Sequence, residues 1–261
     1  MALKTESEAA FERYLDTQNI RWTPVPTSAQ KQPDYKVEHR SRTCLFEVKE
    51  FDDPAIVPSG GFSPCPPIRE KIRKAAKQFK QHRNDCCALV LWNSNFHRSV
   101  QPQVVLSAAF GEYVRQTSSP LGAKPGNYHY SGRAELRPDC NTTFSAIAIL
   151  APYQLNHLWL EVWRRLDAKR QQGDEVKTSD QFDLLHQLSP EGETRYSYQG
   201  TIRTVVLENP YARIALPDLF AGPFDQRWRM QSGWFRLAFI GSELERLKGD
   251  GVVLRQKCYP A

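Results

Sequence analysis

Residues Pro33–Phe51 read PDYKVEHRSRTCLFEVKEF, the pattern of two adjacent strands joined by a short polar turn. Tyr35 to His39 forms the first strand, Arg40 to Thr43 the turn, and Cys44, Leu45, Phe46 and Val48 an apolar run. Side chains alternate along a strand, so Glu47 and Lys49 point to one face and Phe46 and Val48 to the other. A carboxylate and an ammonium therefore emerge side by side from a strand that otherwise reads as core. Asp34 opens the preceding strand, and antiparallel pairing through the turn lays its carboxylate beside Glu47.

Neighbouring carboxylates repel, so the cluster needs positive charge, and a hard divalent cation with oxygen ligands supplies it. Mg²⁺ is the natural candidate, with Mn²⁺ as a substitute. Lys49 stands where a water attacking a phosphate can be oriented and where developing charge can be stabilised.

Pro33-Asp34, twelve intervening positions and then Glu47-Val48-Lys49 resemble the signature of the PD-(D/E)XK nuclease superfamily. The resemblance implies an α/β fold: a mixed central sheet flanked by helices, with a restriction-endonuclease-like αβββαβ core and a C-terminal α/β extension. It also implies a Mg²⁺-dependent nuclease hydrolysing phosphodiester bonds, with DNA rather than RNA as the preferred nucleic-acid partner. Asp34, Glu47 and the Val48 carbonyl would hold the metal, Lys49 would orient water, and Glu8, from a helix before the hairpin, would support metal or water. Gln78, from the helix after it, would hold the nucleophilic water or a phosphate.

The composition of the 261-residue chain, 40% hydrophobic and 25% charged, is that of an ordinary globular protein. No apolar run approaches a membrane span, and the first residues lack the apolar core of a signal peptide, so a cytoplasmic location is expected. Six cysteines without CxxC spacing point to reduced thiols. Net charge of +6 permits a polyanionic partner. Its distribution is more telling: Arg69 to Arg83, REKIRKAAKQFKQHR, carries seven Lys or Arg against one Glu. Such a basic helix beside a metal site suits a phosphate backbone, with Lys71, Lys74, Lys77 and Gln78 as the binding face. A solvated helix face has the same composition.

In chain order, Glu6 to Thr17 reads as a helix with Thr5 as N-cap, Glu8 completing a capping box, and Phe11, Tyr14 and Leu15 as its apolar stripe. Glu8 thus has two readings, helix cap and site residue. Ile20 to Val25 reads as a short strand, and Thr27 to Gln32 as a polar loop. Asp52 to Pro67 is an irregular segment that can close over a substrate or simply connect, and it holds two further acids, Asp52 and Asp53. Ile68 to Arg83 reads as a helix with Ile68, Ile72, Ala75, Ala76 and Phe79 inward. Cys86 to Trp92 is a continuous apolar run, as for a central strand covered on both sides. The nuclease core thus spans about residues 5–92 and continues into the sheet at 142–150.

Gln103 to Val114 fits either strand or helix, and Gln116 to Asn141 reads as a long insertion. Thr142 to Leu150 and Thr201 to Glu208 read as strands and Tyr153 to Ala168 as an amphipathic helix, so 153–261 extends the same sheet within a single decorated domain, 1–261. In the tail, Trp228, Trp234 and Phe235 can stack bases or fill core, and Val252 to Gln256 reads as a last strand. The six histidines lack metal-site spacing, and no Walker loop, dinucleotide fingerprint or nucleophile elbow is present. Two other readings stay open, a nucleic-acid-binding module that does not cut and a plain salt-bridge network. A homodimer is compatible with either.

Overall fold

The computed structural model describes residues 4–26, 32–40, 42–50, 65–93, 100, 102–115, 128–131, 134–153, 162, 165–188, 201–231 and 234–241. Helix α1 (Glu6–Thr17) begins with the expected capping box: Glu8 N–H donates to Thr5 Oγ1 (3.2 Å) and Thr5 N–H to Glu8 Oε2 (2.7 Å). Strand β1 (Trp22–Pro24) follows, then β2 (Tyr35–His39) and β3 (Arg42–Glu50). Between β2 and β3 the chain reverses at Arg40, which takes a left-handed φ of 47°. Helix α2 (Cys65–Phe79) leads to β4 (Cys86–Trp92), so the opening order is α-β-β-β-α-β.

These strands join one mixed eight-stranded sheet of order β1-β2-β3-β4-β7-β8-β9-β10, where β7 is Phe144–Pro152, β8 Ile202–Glu208, β9 Gln226–Gln231 and β10 Trp234–Ile240. Its centre, β3, β4 and β7, is parallel, and every residue of β4 and β7 is buried. Those are the uninterrupted apolar runs of the sequence, which a strand covered on both faces requires. The flanks are antiparallel, β1 with β2, β2 with β3, β7 with β8 and β9 with β10, while β8 and β9 run parallel.

Alternation sorts the core into two layers. Cys44, Phe46 and Val48 of β3 pack with Ala10, Phe11, Tyr14 and Leu15 of α1 and with Leu216, Leu219 and Phe220. Leu45 of β3 and Cys87, Leu89 and Leu91 of β4 pack with Ile68, Ile72, Ala75 and Phe79 of α2 and with α3 (Pro102–Phe110). Glu47 and Lys49 share the parity of Leu45, so they stand on the α2 side.

Several boundaries differ from the sequence reading. Helix α2 starts three residues early, because Pro66 and Pro67 fall in the first turn where backbone N–H groups have no helical partner anyway. It also ends earlier, at Phe79, so Lys80 and Arg83 lie beyond it. The ambiguous stretch 103–114 divides: α3 stops at Gly111, whose φ of 93° suits glycine, and β5 (Glu112–Arg115) begins. Strand β5 pairs with β6 (Tyr128–Ser131), inside the expected insertion. The tail contributes β9 and β10 to the sheet, and Trp228 and Phe235 are buried core residues instead of base-stacking platforms.

A helical run at 165–171 and helix α4 (Thr178–Leu188) cover a small apolar cluster of Ala151, Val162, Leu166 and Leu184. The segment holding Asp52 and Asp53, most of Tyr153–Trp163 and the expected strand Val252–Gln256 lie outside the described residues. No helix among the described residues is long and apolar enough to cross a membrane. The cysteines among them, Cys44, Cys65, Cys86, Cys87 and Cys140, are free.

Phe46 joins α1 to the sheet, its ring 5.3 Å from Phe11 and 5.7 Å from Phe220. Truncating it removes both contacts and leaves a cavity, so Phe46→Ala is expected to lose about 3–5 kcal/mol in urea denaturation. A loss below about 1 kcal/mol is incompatible with this packing.

Candidate functional site

The β2–β3 ladder ends with Tyr35 paired to Phe46, which brings Asp34 alongside the Phe46–Val48 stretch of β3. Asp34 is held there by its main chain, its N–H donating to the Phe46 carbonyl (2.9 Å) and its carbonyl accepting from Val25 N–H (2.9 Å). Its side chain continues the ladder where β2 has ended, Oδ2 accepting from Val48 N–H at 2.8 Å. In a strand the N–H and C=O of one residue point to the same edge, so the Val48 carbonyl also faces the Asp34 side.

Glu47 is fully buried, with 0% of its surface exposed. Neither of its carboxylate oxygens makes a hydrogen bond of good geometry. Its compensation is an ion pair to the Lys49 amine, which is 30% exposed. Burial pushes the Glu47 carboxyl up to about 7, reinforced by the Asp34 charge and opposed by Lys49 and the Gln78 amide. Burial also raises Asp34, against the pull of the Val48 N–H and of Lys49. Burial lowers the Lys49 amine, but Glu47, with Asp34 and Glu8 beyond it, outweighs that and leaves it above its ordinary value. Two acids and one ammonium thus meet in a poorly solvated corner.

Gln78 reaches this corner from α2, its Nε2 donating to the Gln32 carbonyl at 3.2 Å with the amide beside Glu47. Glu8 closes the capping box of α1 through Oε2, and its charge is felt at Asp34 and Lys49. Among the described residues no group of three or more His, Cys, Asp or Glu is gathered for a metal.

The oxygen donors present are of the kind a divalent cation takes: two neighbouring carboxylates, one of them ion-paired to Lys49, and a carbonyl on the same edge. The basic helix is less available than its composition suggests. Arg73 is committed to Glu135 through two bonds (3.0 and 2.6 Å) and Lys74 to Glu70 (2.7 Å), while Lys71 is half-buried and Lys77 exposed.

Sequence reasoning missed the residues that hold α1 against the site. Glu50, on the α1 side of β3, accepts from Ser7 N–H at 3.1 Å, and Tyr35 donates to Glu12 at 2.9 Å. The alternation that places Lys49 on the α2 face also puts Glu50 opposite, beside α1, and this was the available signal. Comparisons with protein-family models, with curated proteins and with solved structures find no match for this chain.

An acid whose pKa rises on folding binds its proton more tightly in the native state. Its contribution to stability is therefore full below the ordinary carboxylate value and lost as pH climbs towards about 7. In chelator-treated protein, Glu47→Gln should raise the melting temperature at pH 8 by roughly 5 °C, on the order of 2 kcal/mol, and change it little at pH 5. A variant less stable than the parent at pH 8 would contradict the strain placed on this carboxylate.

Proposed function

We propose that the chain is a divalent-metal-dependent nuclease of the restriction-endonuclease-like PD-(D/E)XK type, acting in the cytoplasm on phosphodiester bonds of DNA in preference to RNA. The observation that carries this reading is the wholly enclosed Glu47 carboxylate, which shares its corner with the Asp34 carboxyl and the Lys49 amine. Such a group is expensive unless a cation completes it. The α-β-β-β-α-β order around it, with Asp34 and Glu47 on one hairpin, supports the same conclusion.

Asp34, Glu47 and the Val48 carbonyl would hold Mg²⁺, or Mn²⁺ in its place, and the ion would supply charge neutralisation and an acidified water. Asp34 is fixed for that task by the bond from Val48 N–H. Lys49, partly exposed at the end of the cluster, holds a water or a phosphate oxygen and stabilises charge developing on it. Lys71, Lys74 and Lys77 attract the backbone.

The Lys49–Glu47 ion pair favours a second reading, a module on the same fold that binds nucleic acid without cutting it. A cleavage panel of duplex, single-stranded and branched DNA and of RNA, together with calorimetric titration of Mn²⁺, separates the two. In the nuclease reading Asp34→Ala and Lys49→Ala, assayed well below their melting temperatures, each reduce Mg²⁺-dependent cleavage by at least about a thousandfold, and Glu47→Gln abolishes the heat of Mn²⁺ binding. Binding of nucleic acid with no cleavage and no Mn²⁺ heat selects the second reading. In either case, joint replacement of Lys71, Lys74 and Lys77 by Ala should lower the log–log salt slope of binding by about 2–3.

A further inference from the structure

The start of β2, which Asp34 precedes, lies near the rim of the sheet, with the three-residue β1 alone outside it among the described residues. Strand ends at a rim open readily unless something ties them down. On the outer face α1 supplies the tie: Tyr35 donates to Glu12 at 2.9 Å, and Trp22 Nε1 to Asp16 at 2.8 Å. On the inner face α2 reaches the same chain through Gln78, whose Nε2 donates to the Gln32 carbonyl at 3.2 Å.

That carbonyl belongs to the peptide joining Gln32 to Pro33, and Pro33 is buried. The peptide is planar and the proline ring fixes φ. Anchoring the Gln32 oxygen therefore leaves one soft torsion, the ψ of Pro33, before Asp34. A primary amide carries two N–H donors. With one committed to Gln32, the other is directed by the same anchor and lies beside Glu47.

We infer that Gln78 is a positioning residue that sets the separation of Asp34 and Glu47 by tying α2 to the chain entering β2, and that it is not the group that meets a substrate phosphate. This rests on the proposed metal site, but the tie itself exists in the metal-free protein. It reassigns a side chain that the family resemblance places on water or phosphate. Conserved size is not enough for the role: an oxygen in place of the amide nitrogen cannot donate to a carbonyl.

The test uses the full chain with Gln78→Ala, which removes the side chain, and with Gln78→Glu, which keeps its length, removes the amide donors and adds a carboxylate. Two quantities are measured. Amide exchange of Val48, whose N–H is held by the Asp34 carboxylate, reads the tie in chelator-treated protein. Mn²⁺ titration reads the site. The expected result is Val48 exchange roughly tenfold faster in both variants, with the exchange of Leu89 and Val90 in the sheet centre unchanged and Mn²⁺ affinity ten- to a hundredfold lower. A general loss of packing would accelerate Leu89 and Val90 as well.

Faster Val48 exchange in a protein that binds no Mn²⁺ even in its parent form upholds the tie and removes the metal site. Unchanged Val48 exchange in both variants, or tighter Mn²⁺ binding by Gln78→Glu, overturns the inference. The latter result would make position 78 a neighbour of the ion itself.

Discussion

The site depends on one unfavourable placement, a carboxylate enclosed within the α2-facing layer of a parallel strand. Glu47 sits between β2 and β4, in a layer otherwise filled by Leu45, Leu89 and Leu91. A neutral side chain there would pack without cost, and a lone ionised one would destabilise the fold. The Lys49 amine on the same face makes the position tolerable, and the neighbouring Asp34 carboxyl makes it chemically unusual. Protonation and ion pairing compete for the same two oxygens, and the proposed metal would enter that competition.

The remaining elements near the corner keep that competition confined. The capping box of α1 consumes the Glu8 carboxylate, and Glu50 holds the first turn of the helix against the outer face of β3. Asp34 is fixed through three separate bonds, two from its main chain and one from its side chain. Rigid support of this kind is needed where two acids must remain adjacent against their mutual repulsion.

The hairpin, the burial of β4 and the partition of β3 between two faces were legible because each follows from a short-range pattern. Alternation fixes the faces, and a two-sided apolar run fixes a central strand. The proximity of Asp34 and Glu47 was legible only as neighbouring strands of one hairpin, because the turn is shorter than the four residues Arg40 to Thr43 and Arg42 and Thr43 already belong to β3. Glu8 was open between two uses, and the sequence could not decide, because a capping box and a metal ligand ask for the same residue in the same turn. The sheet membership of β9 and β10 was hidden, since Gln226, Arg227 and Arg229 look like surface residues. Arg227 is in fact buried, its guanidinium compensated by Glu208, Asp218 and two carbonyls. Compensation from chain so far apart in sequence leaves no local signal.

The direction of access follows from the topology. Exposure rises from Glu47 to Lys49 along β3, so the cluster opens towards the C-terminal end of that strand, where α/β proteins commonly place ligands. Helix α2 leads back from this end to the start of β4, so its first turns, with Lys71 and Lys74, stand at the opening. The N-terminus of α1 is fastened there as well, through Glu50 and Ser7. Two helix N-termini and the Lys49 amine therefore place positive potential at this end of β3, next to the negative charge of Asp34 and Glu47. The proposed polyanion and divalent ion would suit such a juxtaposition, because each would offset the charge that excludes the other.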